Sequence, residues 1–575
     1  MKWLGFALST LFLTGMLMAQ TPMKKAPIIS TTIDFLDYAF YDQEGSSEYY
    51  ELDVWEKRLQ ELASCGIKKV YLRVNACGAT LWPSKVSPRY GANGRVHYNY
   101  KEQGMRLART LDRWNPLAET IRLGHKHKLE VWCWDSIWDD SAHGMDRIEY
   151  AEDVAKHGSY PLMDDWHLSH PGNWSRRDPR LDPPSLPVAN LHETPIARIV
   201  FTSEVTDTKP CRIQRRNLTI YISEDGKNYR PYGKEFQAVS ELTADKHPQL
   251  VLSGLDIRSP FIKFHQDGKY EVEKFNMVFN HAIGNGCHLY DVNGREIAAT
   301  WGQRIDREET PADAPIGFGR FVRFAWDAGY YQLGVYAGLI SDVDCIRWLV
   351  GIPELLIPTA RAHKVDRFRE LAAYPFDGYL YNIRSHSLGF AGENPTCYGY
   401  NPELVAEFKR RTGKDVLKEE YDREAYNNMR SEGIDLFLAE CKALTNGRPL
   451  YMTIGIPQEG KITTGINRPD RWLKRFGVRW HIDTWLKQGS VDGVTLLGQG
   501  AFPTELVGKT TNGKPLKISV FREMAFPPEG KSYNFEADMR NLVKNQGIDE
   551  IELYESLVLK EERRRIISEV LKEVQ

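Results

Sequence analysis

The chain has 575 residues, of which 42% are hydrophobic, 11% aromatic and 26% charged. That is enough for two to four packed domains of about 150 residues and too apolar for a disordered chain. Lys and Arg number 75 against 77 Asp and Glu, a net charge of −2, and such a balance argues against nucleic acid or an anionic membrane as the main partner. No fixed period or low-complexity tract runs through the sequence, which excludes solenoid, collagen and coiled-coil architectures.

Residues 1–19 read as a secretory signal peptide. Lys2 supplies the positive start, Trp3 to Met18 is almost wholly apolar, and small Ala19 precedes polar Gln20-Thr21-Pro22. The alternative is an uncleaved anchor, for which the apolar run is short. The mature chain is expected to be exported, periplasmic or secreted, and not held in a membrane. Downstream, β-rich runs alternate with helices. The first is Ile28 to Phe40. A helix from Glu51 to Cys65 places Leu52, Trp55, Leu59 and Leu62 on one face, with Gly66 as its stop. Strand Lys69–Asn75, helix Pro116–His127 and strand Leu129–Asp135 follow. The pattern resumes with strand Asp377–Arg384 and with helix Pro402–Arg411, which has proline at its first position and Gly413 as its stop. Strands Leu450–Ile456, Val491–Leu497, Leu516–Phe521 and Ile548–Tyr554 complete the set, with a last helix over Glu561–Val574. Eight strands in βα order predict an α/β fold, a (β/α)8 TIM barrel.

The alternation breaks between strands three and four. Residues 136–195 look like long loops, and 196–302 turn all-β, punctuated by Asp225-Gly226, Asp267-Gly268 and Asn293-Gly294. This predicts an inserted β-sandwich over 196–302. The first part of the barrel, with its long third loop, then covers 20–195 and the remainder 303–575, the barrel pattern returning through Phe318 to Tyr331. Eight cysteines include no CxxC and no zinc spacing, so no metal centre is expected. Cys65, Cys133 and Cys441 read as core thiols, and a Cys211–Cys287 disulfide stays open.

Helices cover the outer face of a barrel strand, so the more polar parity should enter the lumen. That assigns Tyr71, Arg73 and Asn75 inward, with Glu130, Trp132 and Trp134, then Lys517, Ser519, Phe521 and Glu523, then Glu552 and Tyr554; Asn382 and Arg384 share a parity. Buried charge needs a partner, so Arg73 is expected to pair with Glu130, and Lys517 with Glu552. The carboxyl ends of the strands would carry the chemistry. They offer Asp37, Asn75, Asp135, Asn382, Arg384, His386, Glu393, Gln458-Glu459, Gln499, Glu523, Tyr554 and Glu555, with Trp82, Trp134 and Trp138 as flat platforms. Carboxyls that protonate a leaving oxygen and activate a nucleophile, beside aromatic faces, suit sugar chemistry. Glu523 is the expected nucleophile or base, Asp135 the acid and Glu555 the reserve. Asn75, Trp82, Trp134, Asn382, Arg384, His386 and Tyr554 are expected to bind substrate, and Asp139-Asp140 to be a solvated turn. No GxSxG elbow or phosphate-binding glycine loop occurs.

Phe376-Asp-Gly-Tyr-Leu-Tyr-Asn-Ile-Arg-Ser-His386, the run Tyr400 to Asp415 and Ile482-Asp-Thr-Trp-Leu-Lys-Gln-Gly-Ser-Val-Asp-Gly493 resemble secreted bacterial glycosyl-hydrolase-like proteins of the family 10 glycosylhydrolase type. The resemblance covers roughly 28–135 and 310–575. It implies a barrel acting on a polysaccharide or oligosaccharide, without a cofactor. Many relatives carry Asp where this chain has Asn382. Leu218-Thr-Ile-Tyr-Ile-Ser-Glu-Asp-Gly-Lys-Asn-Tyr229 resembles a discoidin-like, galactose-binding sandwich, which implies either a glycan-binding module, sometimes with structural calcium, or a spacer. The leading expectation is an exported glycoside hydrolase. The alternatives are a non-catalytic carbohydrate-binding barrel and a polysaccharide lyase using His386 and a tyrosine.

Overall fold

A computed structural model describes residues 26–574, except 141–169, 182–189, 267–286, 307–329, 338–347, 383–397, 456–477, 498–503, 525–533 and the shorter stretches 43, 77, 93–95, 97–100, 177, 203–207, 211–212, 226–227, 298 and 546. The proposed signal peptide, Arg384, His386, Glu393, Gln458-Glu459 and Gln499 lie outside the described residues. Eight parallel strands close into a ring in chain order. They are β1 (Ile28–Ile33), β2 (Lys69–Arg73), β3 (Glu130–Ser136), β4 (Gly378–Asn382), β5 (Leu450–Gly455), β6 (Gly493–Leu497), β7 (Lys517–Glu523) and β8 (Glu550–Tyr554), and β1 pairs β8 through Thr31 and Leu553. The ring is a TIM-type barrel. Among the described residues no helix is long and apolar enough to cross a membrane.

The first run breaks earlier than its apolar content suggests. Asp34 ends β1 and caps helix α1 (Phe35–Tyr41), its carboxylate accepting from the Leu36 N–H at 3.2 Å. An Asp at that position satisfies one of the orphan N–H groups of the helix start, which an extended chain has no use for. Helix α2 (Leu52–Ser64) buries Trp55, Leu59 and Leu62 as its spacing predicts. Helix α3 (Pro358–Ala372) precedes β4, and α4 (Arg423–Leu444) lies between β4 and β5.

Outward residues of the strands, among them Val70, Leu72, Val131, Tyr379, Met452, Val494, Ile518 and Ile551, join the main apolar core with the surrounding helices. The lumen has its own aromatic cluster of Tyr71, Trp132, Trp134, Leu380 and Tyr451. Glycines on neighbouring strands make room for it: a Cβ on Gly378 would stand 2.7 Å from the Trp132 ring, and one on Gly493 2.5 Å from the Tyr451 ring.

The two expected lumen ion pairs do not form. Glu130 is exposed and accepts from the Trp132 indole at 3.0 Å. Lys517, 52% exposed, reaches Asp549 at the rim. The buried pair is instead Lys69–Glu550 at 2.6 Å, with the Tyr71 hydroxyl donating to the same carboxylate at 2.6 Å. Strand β1 lies between them and presents only Ser30 and Thr32 inward, so side chains of β2 and β8 meet across it.

Between β3 and β4 the chain builds two five-stranded antiparallel sheets. One runs Gln237–Leu242, Pro248–Ile257, Ile196–Thr202, Cys287–Asp291 and Glu296–Ile297; the other runs Thr300–Asp306, Tyr330–Tyr336, Phe261–Gln266, Leu218–Ser223 and Arg230–Pro231. They share one apolar cluster, in which Phe201 and Phe264 meet edge to face at 5.0 Å. The second sheet passes the expected boundary at 302. Tyr330–Tyr336 pairs with Phe261–Gln266 and belongs to it, not to a returning barrel. Cys287 is a buried free thiol, as are Cys65, Cys133 and Cys441; Cys211, the other half of the open disulfide, lies outside the described residues.

A short neck joins the outgoing and returning chains. Trp174–Arg176 pairs with Trp348–Pro353, and the Asn401 amide donates to the Gly172 and Trp174 carbonyls at 2.7 and 2.6 Å. Buried Glu354 ties it down, accepting from Ser175 at 2.5 Å and pairing with Arg430 of α4 at 2.6 Å.

Candidate active site

Barrel strands all deliver their carboxyl ends to one mouth. Arg73, the last residue of β2, is 3% exposed and bridges Asp34 and Asp139, each at 2.5 Å. Its guanidinium also lies 5.6 Å from the centre of the Trp134 ring. Asp34 therefore both caps α1 and neutralises Arg73. One helical turn on, Asp37 is only part-buried, and it meets Glu555, the residue after β8. Carboxylate oxygens of Asp34, Asp37 and Glu555 all lie within 4.8 Å of one another.

Three acids so close cannot all be ionised. Asp37 is pushed well above the usual carboxylate range, first by burial, then by the charges of Asp34 and Glu555 and by a hydrogen bond with Glu555, while Arg73 opposes the shift. Burial and its acidic neighbours therefore favour the protonated form of Asp37, while Arg73 is paired with Asp34. Among the described residues this is the one acid, histidine or cysteine group with the spacing of a metal site.

The other expected site residues divide. Trp134 and Asn75 are buried at the mouth, Asn75 donating to the Asp139 carbonyl at 3.3 Å. Tyr554 precedes Glu555 through a cis peptide and packs against Phe521, ring centres 5.3 Å apart. Asn382 ends β4, fully buried, its carbonyl accepting from the Ile137 N–H at 3.1 Å. Glu523 ends β7 in register with Tyr554; its side chain is outside the described residues.

Asp135 is a correction. Its parity turns it away from the lumen, where Arg367 of α3 holds it at 2.9 and 3.2 Å and leaves it 3% exposed. Trp82 is another: it is 1% exposed, and its indole donates to Glu370 at 3.1 Å, so it is core and not a platform. Asp139 and Asp140 are no solvated turn. Both are fully buried, Asp139 on Arg73 and Asp140 on Lys364 and Arg367, each at 2.9 Å from Asp140. Asp34 is not among the acids expected from sequence, and Asp37 is one of several strand-end acids there. The available signal was Asp34-x-x-Asp37 straight after an apolar strand, the pattern of a helix cap with an acid in its first turn.

No family model matches the chain, and no curated protein matches it. Solved structures do. The catalytic domain of β-amylase from Paenibacillus polymyxa is similar over 95% of this chain and 98% of its own, at 8% identity and a TM-score of 0.37. β-1,4-mannanase from the sea hare Aplysia kurodai is similar over 38% of this chain and 61% of its own, at 12% identity and a TM-score of 0.21. Pyruvate kinase from Cryptosporidium parvum is similar over 96% of this chain and 71% of its own, at 10% identity and a TM-score of 0.25. At these scores the likenesses carry no argument about activity.

Proposed function

We propose that the protein is an exported glycoside hydrolase acting on a polysaccharide or oligosaccharide, with Asp37 as proton donor and Glu555 as nucleophile or base. The observation that carries this reading is the close approach of Asp37 and Glu555 at the mouth of a barrel, where burial and the neighbouring acids push the Asp37 carboxyl up. One group can protonate a leaving glycosidic oxygen while the other attacks or activates water. Trp134, buried in the lumen cluster against Arg73, and the buried Asn75 amide would back the mouth. The carboxylate oxygens of Asp37 and Glu555 lie within 4.8 Å of one another, nearer the separation of about 5–5.5 Å used for retention than the about 6.5–9.5 Å used for inversion. Glu523, at the adjacent strand end, is the third acid of the proposal, and Arg384 and His386 stay as proposed substrate-binding residues. The two-sheet insertion is proposed as a sandwich module of the galactose-binding type, with or without calcium.

The test is release of reducing ends from a panel of plant and algal glycans. Asp37→Asn and Glu555→Gln should each lower kcat by about 10²–10⁴-fold, and the first-formed product should keep the anomeric configuration. A second reading, a silent carbohydrate-binding barrel, is favoured by Asn382, an amide where a catalytic acid would stand. Glycan binding without any released ends would establish it, and an unsaturated product absorbing in the ultraviolet would mark a lyase.

A further inference from the structure

We infer that the barrel lumen, one layer below the mouth, is a built site for ordered water, held by the Glu552 carboxyl and the hydroxyls of Thr453 and Ser519. All three residues are fully buried. Glu552 Oε2, Thr453 Oγ1 and Ser519 Oγ have no hydrogen-bond partner among the described residues. They come from three strands of the same side of the ring. The register aligns Thr453 of β5 with Thr495 of β6, Thr495 with Ser519 of β7, and Ser519 with Glu550 of β8. The row of hydroxyls therefore leads to the strand that carries Glu552.

The facing half of the lumen is filled by Tyr71, Trp132, Trp134, Leu380 and Tyr451. At Thr453, Thr495 and Ser519 the neighbouring strands β5, β6 and β7 carry small hydroxyl side chains in one aligned row. Buried polar groups are satisfied by protein or by water, and a site with several converging polar atoms is where internal water is retained. Glu552 is the donor end of this site. Its Oε1 accepts from the Thr32 hydroxyl at 2.9 Å. The groups facing it are Glu550, which favours its protonated form, and Lys69, Thr32 and Thr495, which oppose it. A neutral carboxyl keeps an O–H to offer, and a held water can carry that hydrogen bond on to the hydroxyls.

The inference is independent of the proposed activity, and its test needs no substrate. A crystal structure of the full chain that resolves solvent should place water within hydrogen-bond distance of Glu552 Oε2 and at least one of the two hydroxyls. An ordered lumen without that density overturns it. In solution, Thr453→Val keeps the shape and removes the hydroxyl. It should lower the melting temperature, because a held water loses a partner; a raised or unchanged melting temperature means a dry layer and also overturns the inference.

Discussion

Asp34 and Asp37 sit one helical turn apart, yet their surroundings differ: Asp34 is paired with Arg73, whereas burial and then the charges of Asp34 and Glu555 push Asp37 well above the usual carboxylate range. The same logic acts deeper in the lumen on Glu552, which burial and then the charge of Glu550 push up to about 8. An acid that binds its proton more tightly folded than unfolded makes stability fall as pH rises, here from near the ordinary glutamate value of 4.5 to about 8. Glu552→Gln should flatten that slope, which is checked by urea midpoints at pH 5, 6.5 and 8; a slope parallel to wild type counts against the assignment. Asp135 behaves differently. Asp135→Asn breaks a buried ion pair and should cost about 3–5 kcal/mol, while kcat per folded molecule holds; unfolding curves and active-site-normalised rates separate the two. Residue type and strand end alone could not distinguish Asp135 from Glu555. The parity that places Trp134 inward also turns Asp135 outward, so this part is legible in the strand itself, whereas adjacency to an aromatic is no guide to facing.

At the scale of elements, the period-2 reading gave the facing of Tyr71, Arg73, Trp132, Trp134 and Glu552, because outer helices demand an apolar face and leave the other to the lumen. The partners were not legible, since strand order suggests neighbours, whereas in a narrow ring charges meet wherever an intervening strand is small. Lys69 and Glu550 meet over Ser30 of β1 in this way. Lys69→Met alone should be strongly destabilising, by about 3–5 kcal/mol, through the carboxylate it strands. The double change Lys69→Met with Glu550→Gln should recover a large part of that loss. A double-mutant cycle on unfolding free energies measures it, and strict additivity would sever the pair. The start of α1 shows the converse limit: an apolar run continues through Phe40, but a capping Asp decides where the extended chain stops.

The whole molecule has two separate large apolar clusters, one around the barrel and one between the two sheets. Two such cores joined by a short neck should unfold separately, so calorimetry is expected to show two transitions; a single two-state peak would mean that the cores are coupled. The insertion was visible in the sequence through its turn pairs and change of period. Its end was not, because Tyr330–Tyr336 returns to the second sheet after a gap in sequence that local pattern cannot bridge.

The neck has a wider consequence. Because Trp174–Arg176 and Trp348–Pro353 run side by side, the ring meets the excursion as if it were one hairpin, whatever lies beyond. A module attached through such a zipper can be exchanged or resized without retuning the acids at the rim, leaving recognition and chemistry free to diverge at their own pace.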